Sequence, residues 1–142
     1  MSELFVAEPP NTYRQLPPLV VDCSVLAALL FDEPERDSAA RILTAKALFA
    51  PWLIDYEMVS VGLKKASLGL VDVAKQGLAD LTQLRMTRRT TSTHAQWALA
   101  RQENLSAYDA AYLQLAIELN APLATYDQTL GAAAQRVLGG SA

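Results

Sequence analysis

Short apolar runs alternate with helical segments along most of this chain. The strand-like runs occupy residues 19–22, 47–50, 85–91, 122–125 and, as a last short edge strand, 137–138. The spacing of apolar residues predicts helices over 24–31, 36–45, 52–68, 71–84, 93–103, 107–119 and 128–136. Short strands that alternate with helices in this way form parallel sheets that are covered on both faces. The pattern therefore predicts an α/β fold with a central parallel sheet between layers of helices.

The composition is that of a folded globular domain. Of the 142 residues, 51% are hydrophobic and 19% are charged, which excludes a disordered or low-complexity chain. One cysteine and one histidine exclude a disulfide framework and a zinc site built from these residues. Residues 1–18 hold four prolines and show no regular period, so we expect an N-terminal tail ahead of a single domain over 19–142.

We expect this chain to carry neither a membrane-spanning segment nor a secretory signal. No apolar run approaches the roughly 18 residues that a membrane-spanning helix needs. The N-terminus carries Glu3 and Glu8 without a basic stretch, which is unlike a secretory signal. We therefore expect a cytoplasmic protein.

Four acidic residues are predicted to share one edge of the sheet. Asp22 ends the first strand and Asp127 follows the strand 122–125, so both lie at the carboxyl edge, where ligand sites form in such sheets. Glu57 lies early in the helix that starts from the same edge after the second strand. The helix that carries Asp109 in its first turn is about 20 Å long. The strand after it returns roughly 16 Å, which places Asp109 near Asp127.

Carboxylates that cluster in this way need a partner. Two charges ~4 Å apart repel by about 4 kcal/mol at an effective dielectric constant of about 20. The cluster must therefore bind protons or a cation, and oxygen ligands alone favour Mg²⁺ or Mn²⁺ over zinc or copper. A divalent ion held by carboxylates activates water and bridges phosphate oxygens. The reaction class that fits these properties is phosphodiester hydrolysis.

The net charge of −3 argues weakly against a nucleic-acid-binding protein. When the four clustered acids are set aside, 11 of the 15 acidic residues remain against 12 basic ones, so the rest of the surface need not repel a polyanion. Two local basic clusters are candidates to meet phosphates: Lys64 with Lys65, and Arg85 with Arg88 and Arg89.

Each acid also has a purely structural explanation. Ser106 with Asp109 matches a capping box, and Asp22 and Asp127 can cap the helices that follow them. Taken singly, Asp109 and Asp127 are better explained as caps than as chemical groups. Glu57 lies on the apolar stripe of its helix and faces partly inward, where an acid needs a partner. Capping does not exclude metal binding, because one residue can serve a helix N-terminus and a cation site together.

Four segments carry a recognisable set of motifs. They read Val20-Val21-Asp22-Cys23-Ser24-Val25, Tyr56-Glu57, Leu105-Ser106-Ala107-Tyr108-Asp109-Ala110-Ala111-Tyr112-Leu113 and Pro122-Leu123-Ala124-Thr125-Tyr126-Asp127. In this order and approximate spacing they resemble the PIN domain family, and specifically the VapC-type toxins of bacterial toxin–antitoxin pairs. The third and fourth segments together are specific, and the resemblance covers essentially the whole domain.

This resemblance implies a PIN-like three-layer α/β/α fold whose mostly parallel sheet has about five strands. It also implies an endoribonuclease that depends on Mg²⁺ or Mn²⁺, forms a homodimer and is silenced by a cognate VapB-like antitoxin. The family's catalytic and metal-binding acids are matched by four residues: Asp22, Glu57, Asp109 and Asp127. Ser24 and Thr125 match hydroxyl positions that support these acids.

Two other functions stay open beside the nuclease. The main alternative is a PIN-like module that no longer cuts and acts by binding proteins, although the presence of all four acids disfavours it. Phosphatases of the haloacid-dehalogenase type have a similar opening strand, but they carry a second aspartate where this chain has Ser24. The aromatic residues Trp52, Trp97, Tyr108 and Tyr112 are interpreted as core or interface residues rather than base-stacking platforms.

Overall fold

The structure, a computed structural model, describes residues 2–5, 7 and 16–139 and alternates strands with helices through the long range. The strands there are β1 (Pro18–Val21), β2 (Ala47–Pro51), β3 (Thr87–Arg89) and β4 (Leu123–Ala124). The helices there are α1 (Cys23–Leu30), α2 (Arg36–Leu43), α3 (Leu53–Ser67), α4 (Val71–Gln83), α5 (Thr93–Glu103), α6 (Ala107–Leu119) and α7 (Gln128–Leu138).

The strands form one parallel sheet in the order β3-β2-β1-β4. Strand β1 is central, and Leu19, Val20 and Val21 are at most 2% exposed because helices cover both faces of the sheet. Val20 pairs with Phe49 of β2 and with Leu123 of β4. Strands β1 and β4 are therefore neighbours, so the segments that follow them meet at one edge.

The helices form the outer layers of the predicted α/β fold, which the structure confirms. Helix α1 packs against α2, α3 and α4, whereas α6 lies on β1 and β2 and contacts α5 and α7. Helices α1 and α4 approach each other closely at Gly77. A Cβ atom there would lie 2.4 Å from a ring carbon of Phe31, which explains why a glycine occupies this buried position.

The sheet has four strands in the described residues instead of the expected five or so. The prediction of a strand at 137–138 is wrong, since these residues form the last turn of α7. Leu130, Ala133, Ala134 and Val137 recur at helical spacing and face the core. The apolar face of the helix thus continues to its end, and this overrides the local preference of Val137 for a strand.

Much of the predicted tail, residues 1–18, lies outside the described residues, and Pro18 already belongs to β1. Leu4 and Phe5 are described, and both are exposed. Among the described residues, no helix combines the length and the apolar character that crossing a membrane requires.

Candidate functional site

Asp22 follows β1 and has the most buried carboxylate of the four acids, with 6% of its surface exposed. Its Oδ2 accepts hydrogen bonds from Ser24 Oγ at 2.7 Å and Thr125 Oγ1 at 2.8 Å, and a longer one from the Ser24 N–H at 3.4 Å. The last contact confirms that Asp22 caps α1. Its other oxygen, Oδ1, accepts no hydrogen bond within the described chain. Every buried side-chain oxygen there has a hydrogen-bond partner, so Oδ1 is not buried. This second oxygen is therefore open to solvent.

Strand β4 carries Thr125 and Asp127 to the same edge. The backbone N–H of Asp22 donates to the carbonyl of Ala124 at 3.0 Å, so the next residue reaches the Asp22 carboxylate. Thr125 Oγ1 also accepts a hydrogen bond from the N–H of Asp127 at 2.9 Å. Asp127 is exposed, and its Oδ1 accepts from the N–H of Leu130 at 2.8 Å, which confirms that it caps α7.

Asp109 lies in the first turn of α6 and is half-buried. Its N–H donates to Ser106 Oγ at 3.0 Å, which confirms Ser106 as the N-cap. In a capping box the Asp109 carboxylate would accept from the N–H of Ser106. That reciprocal bond is absent from the described chain, so the cap leaves this carboxylate unused.

Glu57 is half-buried on α3, and Tyr112 Oη donates to its Oε1 at 2.5 Å. Tyr112 is 0% exposed, so the prediction that it is a core residue is confirmed. Its contact with Glu57 was not predicted. The available signal was its position on α6, three residues after Asp109, since residues three apart lie on the same helix face.

The four acids influence one another electrostatically. Burial raises the pKa of Glu57, and the charges of Asp22 and Asp109 raise it further, while the hydrogen bond from Tyr112 lowers it. Burial also raises the pKa of Asp109, and Asp127 and Asp22 add to that increase. The structure thus brings all four acids within range of mutual repulsion, and a cation or a proton would relieve it.

No salt bridge among the described residues neutralises this charge. The salt bridges of the described residues use other acids: Arg36–Asp32, Lys65–Glu33, Arg88–Asp55 and Arg136–Glu103. Arg88 donates to both oxygens of Asp55 at 2.7 Å, so this member of the predicted basic cluster already has a protein partner. The repulsion among the four acids is therefore left for protons or a bound ion.

The donor chemistry of the site fits Mg²⁺ or Mn²⁺, because it offers carboxylate oxygens and no competing thiolate or imidazole. Within the described residues, no three His, Cys, Asp or Glu side chains lie close enough together to hold a metal ion. Magnesium usually keeps several waters and binds through one or two carboxylates. One or two of these acids would therefore hold such an ion directly, and the others would reach it through water.

Cys23 adjoins the site and is not a nucleophile. It is 9% exposed, and its Sγ lies 3.6 Å from Met58 Sδ. Burial, followed by the nearby charges of Glu57 and Asp22, raises its pKa to about 12. The thiol is therefore protonated at neutral pH, as expected of a small buried hydrophobic residue.

Comparisons with known proteins agree with this fold. The PIN domain family profile matches residues 19–135. The VapC ribonuclease Mb0985 of Mycobacterium bovis is 37% identical over 117 residues, which are 79% of this chain and 87% of that protein. Ribonuclease VapC3 of Mycobacterium tuberculosis is 34% identical over 118 residues, which are 81% of this chain and 86% of that protein.

A solved structure shows the same architecture. The crystal structure of PAE2754 from Pyrobaculum aerophilum superposes with a TM-score of 0.65 at 25% identity. The match covers 86% of this chain and 94% of that one. Together with the family profile and the sequence relatives, it shows that the chain belongs to the PIN domain family.

Proposed function

We propose that this chain is a VapC-like toxin, a metal-dependent endoribonuclease that hydrolyses RNA phosphodiester bonds at the four-carboxylate site. The observation that carries the proposal is the mutual repulsion of four acids that no salt bridge of the described chain neutralises. The printed names of the relatives, which are ribonucleases of the VapC type, support the same reaction.

A divalent ion would be held by carboxylate oxygens that accept no hydrogen bond within the described chain. The residues proposed to hold it, directly or through water, are Asp22, Glu57, Asp109 and Asp127. When bound, Mg²⁺ or Mn²⁺ supplies Lewis-acid stabilisation of the phosphate and lowers the pKa of water.

The chain's own hydrogen bonds fix the two most buried of these acids. Ser24 and Thr125 hold Asp22 through one oxygen, which aims the other at solvent. Tyr112 likewise holds Glu57 through Oε1. A carboxylate with a raised pKa is a better proton acceptor, so Glu57 is suited to orient the attacking water and take its proton.

Several further assignments belong to the same proposal. The substrate is RNA, and a VapB-like antitoxin silences the enzyme in the cytoplasm, as in a toxin–antitoxin pair. The active form is a homodimer. Residues 19–142 form the nuclease domain, to which Pro18 adds the first residue of β1, and the preceding residues form an N-terminal tail.

One observation favours a second candidate, a PIN-like module that binds proteins without cutting. The described residues contain no three side chains close enough to hold an ion together. If the site binds no metal, its carboxylates are free to bind a basic segment of a partner protein. This candidate and the nuclease differ in turnover, so one experiment separates them.

The test is cleavage of total cellular RNA by purified protein that is free of antitoxin. Reactions contain Mg²⁺, Mn²⁺ or a chelator, and each is repeated with Asp109→Asn. A matched control is Asp72→Asn, because Asp72 is an exposed first-turn aspartate of α4 that lies outside the site. Circular dichroism establishes that both variants are folded.

Discrete fragments that require the metal and Asp109, and that Asp72→Asn still produces, support the nuclease. The Asp109→Asn protein is expected to keep its fold, because Ser106 caps α6 through the backbone of residue 109. Folded, partner-free protein that cuts no RNA with either metal would refute the nuclease and favour the binding module.

A further inference from the structure

Tyr126 lies between Thr125 and Asp127 and lines two grooves on the surface. The larger, of about 770 Å³, runs beside β4 between α2 and α7. The smaller, of about 370 Å³, lies between α1 and α3. Tyr126 is 42% exposed. Its aromatic ring therefore lies at the surface, where both grooves reach the edge of the sheet that carries the acids.

The protein fixes this ring at both ends. The backbone N–H of Tyr126 donates to Ser24 Oγ at 2.9 Å. Its hydroxyl contacts the hydroxyl of Ser38 and donates to the carbonyl of Glu35 at 3.4 Å. A ring that is both exposed and anchored pays little further entropy when a flat partner stacks on it.

The smaller groove lies beside the carboxylates and is lined by both basic and acidic side chains. It includes Ser24, whose hydroxyl bonds to Asp22, together with Lys64, Lys65, Glu33 and Glu35. Glu33 pairs with Lys65 at 3.1 Å, whereas Lys64 forms no salt bridge in the described chain. Lys64 lies seven residues after Glu57, a separation of about 10 Å along α3.

These features match one nucleotide of an unpaired RNA strand. Its volume places the groove within the range of about 300–1,000 Å³ that is usual for ligand sites. Val61 and Leu68 supply apolar wall, Tyr126 a stacking surface and Lys64 a phosphate contact. Proteins hold single-stranded bases by stacking them on aromatic rings beside a positively charged path, whereas a base inside a duplex has no free face.

We propose that Tyr126 is a specificity-determining residue that stacks one unpaired base beside the carboxylates, with that nucleotide in the smaller groove and a neighbouring phosphate on Lys64. The inference rests on the proposed nuclease function and names its substrate class more closely.

The test measures binding in the absence of cleavage. A short fluorescein-labelled RNA of mixed sequence, single-stranded or annealed to its complement, is titrated with the full chain in a chelator and followed by fluorescence anisotropy. The variants are Tyr126→Ala, Tyr126→Phe and Lys64→Met. Lys75→Met is the matched control, since Lys75 is an exposed lysine of α4 outside the groove.

Tyr126→Ala is expected to weaken single-strand binding roughly 5- to 150-fold, the range that one base–aromatic stack supplies. Tyr126→Phe keeps the ring and stays within a few fold of the parent. Lys64→Met lowers the slope of log K against log salt by about 0.7, the value for one phosphate contact on a single strand. Lys75→Met leaves that slope unchanged, and duplex RNA is insensitive to Tyr126→Ala.

Equal single-strand affinity of Tyr126→Ala and the parent, with both proteins folded by circular dichroism, would overturn the inference. The inference would also be overturned if Tyr126→Ala weakened the binding of a partner protein and left RNA binding unchanged. The nuclease proposal fails differently, because it is refuted when the parent binds single-stranded RNA through Tyr126 and yet cuts nothing with either metal.

Discussion

Replacement of Tyr112 by Phe removes one hydroxyl and its 2.5 Å hydrogen bond to Glu57 without changing the shape of the buried ring. Hydrogen bonds to charged groups contribute about 1.5–3 kcal/mol and neutral ones about 0.5–1.5 kcal/mol. The bond therefore favours the ionised carboxylate by about 1 kcal/mol or slightly more. At 1.36 kcal/mol per pKa unit, the pKa of Glu57 in Tyr112→Phe rises by about one unit.

This variant has two expected consequences. Burial already raises the pKa of Glu57. The contribution of Glu57 to the free energy of unfolding is therefore greatest at low pH and declines as the pH rises above 4.5, the ordinary pKa of a glutamate. Tyr112→Phe raises that pKa further, so its cost in free energy of unfolding is about 1.5–3 kcal/mol at neutral pH and smaller in acid. If RNA cleavage needs ionised Glu57, the acid limb of the pH–rate profile moves upward by about one unit.

The assays are urea denaturation and initial cleavage rates, each measured across the acid range. Tyr108→Phe is the matched control, because Tyr108 is 65% exposed and its hydroxyl makes no hydrogen bond in the described chain. An unfolding cost that is the same at acid and neutral pH, together with an unmoved acid limb, would refute the reasoning.

Three further predictions concern stability. Mg²⁺ or Mn²⁺ at 100 times its Kd is expected to stabilise the chain by about 2.7 kcal/mol, which is measured as a rise in Tm. A chelator should reverse this rise, and Asp22→Asn should reduce it. An unchanged Tm would contradict the prediction. Gly77→Ala is expected to lower the free energy of unfolding by about 1–2 kcal/mol, since overpacking against Phe31 exceeds the gain in helix propensity. Gly131→Ala meets only an ordinary contact at 3.6 Å and should be neutral or stabilising by urea denaturation.

The fold and the meeting of the acids follow from features that a sequence displays. Asp22 and Asp127 directly follow apolar runs, and parallel strands end at one edge, so their neighbourhood needs only the topology. The near-equal lengths of α6 and of the return path through β4 place Asp109 near Asp127. Each of these arguments uses chain geometry, which local sequence determines well.

Contacts between side chains from distant elements could not be predicted in this way. The bond between Tyr112 and Glu57 joins α6 to α3, and no local pattern sets the angle between those helices. The pairing of Arg88 with Asp55 joins β3 to α3 and removes an arginine that the sequence offered to phosphates. Such pairings depend on the packing of whole elements, whereas local spacing gives only the face on which each residue lies.

The structural hydrogen bonds of these acids and the proposed cation binding use different oxygens of each carboxylate. Asp22 gives Oδ2 to its cap and hydroxyl partners, and Asp127 gives Oδ1 to the N–H of Leu130. Glu57 gives Oε1 to Tyr112. In each case the second oxygen has no hydrogen-bond donor within the described chain. An asparagine or glutamine can keep the structural bond through its single carbonyl oxygen while it loses the charge. Amide variants at these positions should therefore separate folding from cation binding, which alanine variants cannot do.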